Sequence, residues 1–223
     1  MLTMSGFLKK ELLHKGQLDV KYMDIPEEFQ VLTWIKKNTS NGYLDTKYIP
    51  IDKSIIRTTV ILDEWFSDTT NRIMGVDMGS DAVDVGIRAL STSGTPRGFY
   101  GYHDRKFFDS DVVAKLNTQY KIELTPNCLK LNDVEILPEP RALTQQITDS
   151  YWLFCANMSS STESNSYKKE IAGGFKRTQI LEGSTLIKDM IPVYNKTTKY
   201  YGMYDVVNKE FLPASNKTAF FGA

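Results

Sequence analysis

Cysteine and histidine are scarce in this chain, which has two of each among 223 residues. Two cysteines are too few for the disulfide framework of a small secreted domain. Cys128 and Cys155 each lie in an apolar, strand-like run, so we expect buried free thiols, with one disulfide between them as the alternative if their strands are neighbours. Two histidines, His14 and His103, cannot supply a multi-histidine metal site.

A charge excess of either sign is also missing, because 27 Lys and Arg residues balance 27 Asp and Glu residues. Nucleic-acid binders usually carry a basic surplus that neutralises phosphates, so we expect no nucleic-acid partner. No apolar run reaches the roughly 18 residues of a membrane-spanning helix. The start, MLTMSGFLKKELLHKG, lacks the apolar core and cleavage site of a signal peptide, so we expect neither a membrane span nor a secretory signal.

Residues 1–24 differ in pattern from the rest of the chain. A serine precedes apolar residues at Phe7, Leu8, Leu12 and Leu13, and a glycine follows, which is typical of a helix of about two turns or of an arm. Such a segment is too short to be stable alone. It either packs on its own domain, which we favour, or tethers the domain to a partner protein.

From Ile25 onward the sequence has the pattern of an all-β protein, with short runs of Val, Ile, Thr, Tyr and Phe between Gly, Asn, Asp and Ser clusters. The run SIIRTTVILDEW alternates along its whole length, so its apolar residues share one face. CLKLNDVEIL predicts a hairpin at Asn132 and Asp133, since both tolerate positive φ. Pro192 is expected to end or bulge the strand STLIKDMIPVYN.

These runs add up to roughly ten to thirteen antiparallel strands, which need two packed sheets. The polar stretches 138–150 and 159–170 are expected to be connections between strands. The sequence therefore predicts one β-sandwich domain over residues 25–223, preceded by an arm or short helix over residues 1–24.

The end of the chain, TLIKDMIPVYNKTTKYYGMYDVVNKEFLPASNKTAFFGA, resembles the closing motif of concanavalin A-like (lectin/glucanase, LamG-like) jelly-roll domains of phage tail and baseplate proteins and Gram-positive surface proteins. The motif residues kept here are Asp189, Ile191, Pro192, Val193, Gly202, Tyr204, Asp205, Val207, Asn208 and Phe211. Met203 and Lys217–Thr218 depart from it. The opening, IPEEFQVLTWIKKNTSNGYLDTKYIP, resembles the family's first strands at Pro26, Tyr43, Asp45 and Thr46.

The resemblance implies a two-sheet antiparallel jelly roll in which the closing motif is structural: Asp189, Pro192, Gly202, Tyr204, Asp205 and Asn208. Tyr204 would be a buried ring and Asp205 would cap a turn. The implied function is a non-catalytic, lectin-like carbohydrate-binding module of a phage virion appendage (tail, baseplate or neck) that adheres to a host cell-surface polysaccharide. Outside a virion, an extracellular or cell-surface location is expected, and the N-terminal arm could contact other virion proteins.

Two alternatives stay open. The first is a structural or decoration protein of the virion with the same fold and no sugar site. The second is a glycoside hydrolase of the same superfamily, which would need two carboxylates flanking a groove. Such pairs come from alternate residues of one strand, as in Glu-x-Asp-x-x-Glu. No such run occurs in the sequence, so we do not expect an enzyme.

Sugar recognition needs flat rings that stack on a pyranose and polar groups that pair with its hydroxyls. Alternation places three candidate residues on one face of the long strand: Trp65, Asp63 and Arg57. A second candidate group comes from PRGFYGYHDRKFF: Tyr100, Tyr102 and Asp104. Asn157 is a further candidate, at the end of the apolar run that contains Trp152. Every aromatic residue here also suits a sandwich core.

An acidic stretch, VDMGSDAVDVG, carries Asp77, Asp81 and Asp84. Carboxylates are the ligands that Ca²⁺ prefers, but the stretch lacks the spacing of a known calcium loop. We therefore predict no cofactor and keep calcium as the alternative.

Overall fold

The computed structural model describes residues 25–38, 41–64, 70–78, 84–92, 95–104, 106–136, 142–157 and 171–222. Across these ranges the chain is entirely β and contains no helix that could cross a membrane. The all-β prediction is confirmed. The predicted arm or short helix, residues 1–24, lies outside the described residues.

Eighteen strands are found in the described ranges. They exceed the number that the sequence pattern indicates, because strands of two or three residues leave no alternation to detect. In chain order they are β1 (Phe29–Val31), β2 (Ile35–Lys37), β3 (Leu44–Asp45), β4 (Ser54–Glu64), β5 (Thr70–Asp77), β6 (Asp84–Thr92), β7 (Thr95–His103), β8 (Lys106–Val113), β9 (Gln119–Leu124), β10 (Leu129–Leu131), β11 (Val134–Ile136), β12 (Trp152–Leu153), β13 (Ala156–Asn157), β14 (Ala172–Glu182), β15 (Thr185–Asn195), β16 (Tyr200–Asp205), β17 (Glu210–Pro213) and β18 (Phe220–Gly222).

The strands form two sheets. The large sheet has 11 strands in the order β11-β10-β9-β4-β14-β15-β16-β17, with β1 paired to β15 and β2 lying between β14 and β18. The small sheet has 7 strands in the order β3-β12-β5-β6-β7-β8, with β13 also on β5. All described pairings are antiparallel except that of β13 with β5, so the predicted antiparallel sandwich is confirmed.

One apolar core lies between the sheets and takes residues from both. Ile56 and Val60 of β4 face it from the large sheet, and Met74, Val85 and Ile87 face it from the small sheet. Strict alternation of buried and more exposed residues along β4 reproduces the pattern expected from the sequence. The remaining faces of the two sheets are the outer faces of the sandwich.

The hairpin between β10 and β11 forms where the sequence predicts it. Asn132 and Asp133 have φ angles of 51° and 68°, the left-handed values that a two-residue hairpin turn needs at both positions. Leu131 and Val134 pair directly beside them.

Pro192 neither ends nor bulges its strand, which corrects the prediction: β15 continues to Asn195. The reason is that Pro192 lies where the neighbour of β15 changes from one strand to another. On one side β14 pairs with β15 only up to Met190, and β1 pairs from Val193 onward. The carbonyl of Pro192 accepts a hydrogen bond from the Leu32 amide at that junction. A residue without an N–H therefore breaks no ladder bond there.

A second apolar cluster lies on the outer face of the large sheet. Ile25, Ile191, Val193 and Tyr204 are buried in it, with Phe29 packed against them. The Phe29 ring lies 5.1 Å from that of Tyr204 and 5.1 Å from that of Phe211. The segment that starts at Ile25 thus covers apolar groups that would otherwise face water.

The connection 142–151 closes one end of the sandwich. Its Leu143 amide donates to the Asp52 carboxylate, which belongs to the loop before β4. Ile147 and Tyr151 are buried in the main core. Cys128 and Cys155 are both buried, and no disulfide joins them.

Candidate functional site

The residues predicted to bind sugar do not form one cluster. Arg57 and Asp63 lie on β4 of the large sheet, whereas Tyr100 and Tyr102 lie on β7 and Asn157 on β13 of the small sheet. Trp65 lies outside the described residues. For Tyr100 and Tyr102 the structure describes the backbone but not the side chains.

Arg57 belongs to a row of polar residues across the outer face of the large sheet. Strand register places Arg57 opposite Glu123, Glu123 opposite Lys130, and Lys130 opposite Glu135. Arg57 and Glu123 form a salt bridge, and the Lys130 ammonium lies 3.1 Å from Glu123. Burial alone would raise the pKa of Glu123, but the hydrogen bonds from Arg57 and Lys130 outweigh it and hold that pKa below its usual value.

Asp63 has a different partner on the same face. Its carboxylate lies 3.0 Å from the ammonium of Lys36. The Trp34 ring packs over Gly174, and the Lys176 ammonium lies 4.7 Å from the ring centre. This face of the sheet is thus tied together by cross-strand charge pairs.

Asp104 and Asn157 hold connections in place. The Asp104 carboxylate accepts hydrogen bonds of 2.9 Å from the Thr144 amide and 2.8 Å from its hydroxyl. Asn157 donates to the carbonyl of Ser150 at 2.9 Å. Both side chains are buried. Their predicted contact with sugar stays a prediction.

Two aromatic rings stack on the outer face of the small sheet. Tyr43 and Trp152 have ring centres 3.7 Å apart and planes only 6° apart. Their neighbours Leu44 and Leu153 point into the core, so alternation places both rings on the opposite face. Trp152 is buried and Tyr43 is half-buried. We call this pair the outer stack.

Two glycines adjoin the outer stack. Strand register places Trp152 opposite Gly75, and Gly75 opposite Gly86. A Cβ built on Gly86 would lie 2.6 Å from the Met74 carbonyl oxygen and 2.9 Å from the Gly75 Cα. No side chain fits between the two strands here. The surface next to Trp152 is therefore formed by backbone atoms of Gly75 and Gly86. The next residue across the sheet is Tyr102 of β7.

An ion pair on β5 joins two residues that lie on either side of Gly75. The Arg72 guanidinium forms a salt bridge with the Asp77 carboxylate, and both side chains are less than a tenth exposed. Val76 faces the core, so Asp77 and its partner lie on the outer face. The Nε of Arg72 is buried and has no hydrogen-bond partner in the part of the chain that the structure describes.

The candidate site consists of the outer stack, the two glycines Gly75 and Gly86, and the Arg72–Asp77 pair. The half-buried Tyr43 ring offers a flat apolar surface. The Arg72–Asp77 pair is mostly buried and places charged groups next to it, including the Arg72 Nε that has no partner among the described residues. Such a combination can hold a ligand that has one apolar face and hydroxyl groups at its edge.

Sequence reasoning did not select the outer stack as a site. In the sequence, Tyr43 stands out only through the family resemblance. Trp152 shares a face with Phe154 near Asn157, but its position in the middle of an apolar run favours the core. The signal was the mixed character of the small sheet: Gly86 interrupts an otherwise alternating run, and Gly75 lies next to apolar residues on the strand before it. A glycine inside a strand marks a close approach of backbone, but nothing in the sequence pairs these strands.

The acidic stretch does not assemble in the described residues. Asp77 pairs with Arg72, Asp81 lies outside the described residues, and the Asp84 side chain is not described. No group of three or more His, Cys, Asp or Glu side chains that could hold a metal is found in the described ranges. Calcium binding by this stretch stays an untested alternative.

The closing motif surrounds one buried carboxylate. Asp205 accepts hydrogen bonds from the Asp189 and Val207 amides at 3.1 Å each and from the Asn208 side chain at 2.7 Å. The Lys188 ammonium lies 3.1 Å away. Gly202 is needed for close packing, because a Cβ there would lie 2.3 Å from the Leu212 carbonyl oxygen. Tyr204 is buried.

Elsewhere in the motif, Asp189 is fully buried and forms a salt bridge with Arg177 at 2.5 Å. Two of the motif's carboxylates, Asp189 and Asp205, are therefore both engaged inside the sheet. Each carboxylate therefore neutralises a cation within the large sheet.

Comparisons with known proteins find a similar fold among solved structures but do not show a family for this chain. No family model matches the chain, and no curated protein matches it. Among solved structures, it is similar to a Bacteroides ovatus protein whose carbohydrate binding is provisionally assigned, with 12% identity and a TM-score of 0.53 over 84% of this chain. That level of likeness shows a shared fold alone. The chain spans 59% of that protein.

A second solved structure is tailspike protein 2 of an Escherichia coli bacteriophage. The identity is 10% and the TM-score 0.44, over 80% of this chain and 32% of the tailspike. We draw no argument from a likeness at this level. The concanavalin A-like resemblance of the two chain ends is therefore not tested further by these comparisons.

Proposed function

We propose that this chain is a non-catalytic, glycan-binding β-sandwich whose binding surface is the outer face of the small sheet. The observation that carries the proposal is the outer stack of Tyr43 and Trp152 beside the Arg72–Asp77 pair. A pyranose has an apolar face that stacks on an aromatic ring, and its hydroxyls both donate and accept hydrogen bonds. The Tyr43 ring would supply the apolar contact, and the exposed edge of the mostly buried Arg72–Asp77 pair would supply the polar one.

The solved structure of the Bacteroides ovatus protein supports the proposal. Its provisional assignment is carbohydrate binding, and it shares the sandwich fold with this chain. A fold hosts many functions, so the likeness raises the expectation without deciding it.

The proposed setting is a virion appendage (tail, baseplate or neck) that adheres to a polysaccharide of a bacterial host, with an extracellular or cell-surface protein as the other setting. It follows from the resemblance of the two chain ends to phage and Gram-positive modules. A shallow site of this kind binds a single sugar weakly, with a dissociation constant on the order of millimolar to micromolar, and many copies on one particle would make adsorption firm.

The test is a binding measurement with labelled protein, whole Gram-positive cells and purified wall polysaccharides. Tyr43→Ala removes the half-buried ring of the outer stack. Tyr200→Ala is the matched control, because it removes another half-buried tyrosine, whose ring lies 5.1 Å from the Lys217 ammonium. We expect saturable binding that Tyr43→Ala strongly weakens and Tyr200→Ala leaves intact, with thermal unfolding confirming equal stability. Trp65→Ala and Tyr100→Ala test the two rings selected from the sequence.

The same samples test the absence of catalysis. New reducing ends in polysaccharide incubated with the protein would make it a hydrolase and contradict the non-catalytic part of the proposal. Binding that survives Tyr43→Ala but is lost in Trp65→Ala would move the site from the outer stack to Trp65.

A structural role in the virion is the second candidate, and one observation favours it. The described polar candidates from the sequence all have internal partners: Arg57 with Glu123, Asp63 with Lys36, Asp104 with Thr144, and Asn157 with Ser150. Well-folded protein that binds no envelope preparation would support this role over glycan binding.

A further inference from the structure

A cleft of about 650 Å³ opens at one end of the large sheet and shares no described residue with the outer stack. Loops and turns that join neighbouring strands meet there: Asp52 and Lys53 before β4, the turn between β9 and β10, and Gly183 between β14 and β15. The described lining residues are Asp52, Lys53, Ile55, Thr125, Pro126, Asn127, Cys128, Lys130, Glu135, Ala142 and Gly183. Its volume falls within the range of small-molecule sites.

The polar lining of the cleft divides into engaged and available groups. The Thr125 hydroxyl accepts hydrogen bonds from the Asn127 and Cys128 amides. The Asp52 carboxylate accepts one from Leu143, and Lys130 is held by Glu123 at 3.1 Å. These groups support the walls of the cleft and are not free for a ligand.

Three other polar side chains are exposed at the cleft: Lys53, Asn127 and Glu135. No side-chain hydrogen bond of Lys53 or Asn127 is found in the described part of the chain. Among the described residues, the Glu135 carboxylate has one charged partner, the Lys130 ammonium at 3.7 Å. The cleft therefore presents a cation, an amide and a carboxylate that a ligand can reach.

The rest of the lining is apolar and contains no aromatic ring among its described residues. Ile55, Pro126, Cys128 and Ala142 supply this surface. Without a ring to stack on, the flat face of an unsubstituted hexose has no partner here. A compact methyl group next to an amide matches the cleft better, because aliphatic side chains cover the methyl and the polar groups pair with the amide.

We infer that this cleft binds an N-acetylated amino sugar, with the acetyl methyl against the aliphatic lining. The acetamido carbonyl accepts a hydrogen bond from Asn127 or Lys53, and the acetamido N–H donates to Glu135. The inference rests on the proposed function only in taking the ligand to be a glycan unit. It adds a second site to the outer stack and names the sugar class that this site selects.

The test titrates the full chain with N-acetylglucosamine and, separately, with glucose, which has a hydroxyl in place of the acetamido group. Saturation-transfer NMR should show the acetyl methyl as the most strongly saturated group, and glucose should bind at least about tenfold more weakly. Asn127→Ala should weaken N-acetylglucosamine binding about three- to tenfold, the effect of one lost hydrogen bond. The variant keeps the Asn127 backbone amide that donates to Thr125, so the turn should stay folded.

Tyr43→Ala separates the two sites. We expect it to leave N-acetylglucosamine binding unchanged while it strongly weakens polysaccharide binding. Wild-type protein that binds polysaccharide but not N-acetylglucosamine would overturn the cleft inference and leave the proposed function standing. N-acetylglucosamine binding lost in Tyr43→Ala and kept in Asn127→Ala would also overturn it, since the sugar would then lie on the outer stack. Equal affinity for glucose would refute the acetamido selectivity.

Discussion

Replacing Asp205 by asparagine should destabilise the protein more than any other single change of charge to amide in the closing motif. Asp205 is fully buried and accepts hydrogen bonds from two backbone amides and from Asn208, with the Lys188 ammonium at 3.1 Å. Asparagine keeps the shape but replaces one acceptor oxygen by a donor and leaves a buried ammonium uncompensated. Removing one partner of a buried ion pair costs about 3–5 kcal/mol, so we expect a loss of about 3 kcal/mol.

The assay is urea unfolding followed by circular dichroism, with Asp133→Asn as the control. Asp133 lies on an exposed turn, and its side chain is 83% exposed beside Lys121, so its ion pair should contribute at most about 0.5 kcal/mol. A double-mutant cycle with Lys188→Met should give a coupling energy above about 1 kcal/mol. Equal losses in Asp205→Asn and Asp133→Asn would refute the argument.

The pH dependence gives an independent check. Burial alone would raise the pKa of Asp205, but hydrogen bonds from Asn208, the Asp189 amide and Lys188 hold it below its ordinary value of 3.8. A carboxylate with a lowered folded-state pKa stabilises the fold fully above its ordinary pKa, and this contribution declines as the pH falls through the lower value. The difference in free energy of unfolding between wild type and Asp205→Asn should therefore be constant near pH 7 and shrink below pH 3.8.

Four further predictions concern single positions. Tyr48→Phe should cost about 1–2 kcal/mol, because the Tyr48 hydroxyl lies 2.6 Å from Ser54 Oγ. Burial raises the pKa of Tyr48 to about 12 and also raises the pKa of Tyr151. Spectroscopic titration of Tyr48→Phe should therefore show one late-titrating tyrosine fewer than wild type, and the contribution of Tyr48 to stability should be lost as the pH rises from 10 through 12. Tyr151→Phe should instead raise stability by about 1 kcal/mol, because that buried hydroxyl has no partner among the described residues; a loss would reveal a bound water. Gly86→Ala should cost about 3 kcal/mol through backbone clashes, against about 1 kcal/mol for Gly183→Ala, whose Cβ meets open space at a φ of 59°. Asp133→Gly should raise the free energy of unfolding by about 0.5 kcal/mol, because glycine adopts its φ of 68° without strain; an unchanged or lower free energy of unfolding would contradict this.

Local patterns in the sequence predict much of the large sheet. The alternation of β4 sets which side chains face the core, and the Asn132–Asp133 pair sets a hairpin, since both depend on residues close in the chain. The effect of Pro192, in contrast, depends on strands that are distant in the sequence. Its missing N–H is harmless because two different strands, β14 and β1, meet β15 on either side of it, and no local rule predicts that arrangement.

The candidate site depends even more on distant pairing. Tyr43 and Trp152 are more than a hundred residues apart, yet the pairing of β3 with β12 stacks their rings. The Arg72–Asp77 pair becomes an outer-face feature only because a bulge between Arg72 and Met74 shifts the alternation of β5. Conversely, Arg57 and Tyr100 look alike as site candidates in the sequence but belong to different sheets.

The sequence by itself determined the all-β class, the division between residues that face the core and residues that face outward along the long strands, and the turns that need positive φ, because each follows from the geometry of a few consecutive residues. Tertiary structure alone decided which rings meet, which carboxylates are neutralised by which cations, and where the cleft of Lys53, Asn127 and Glu135 opens. Those features arise from strand register and sheet packing, which join residues far apart in the chain and leave no local trace.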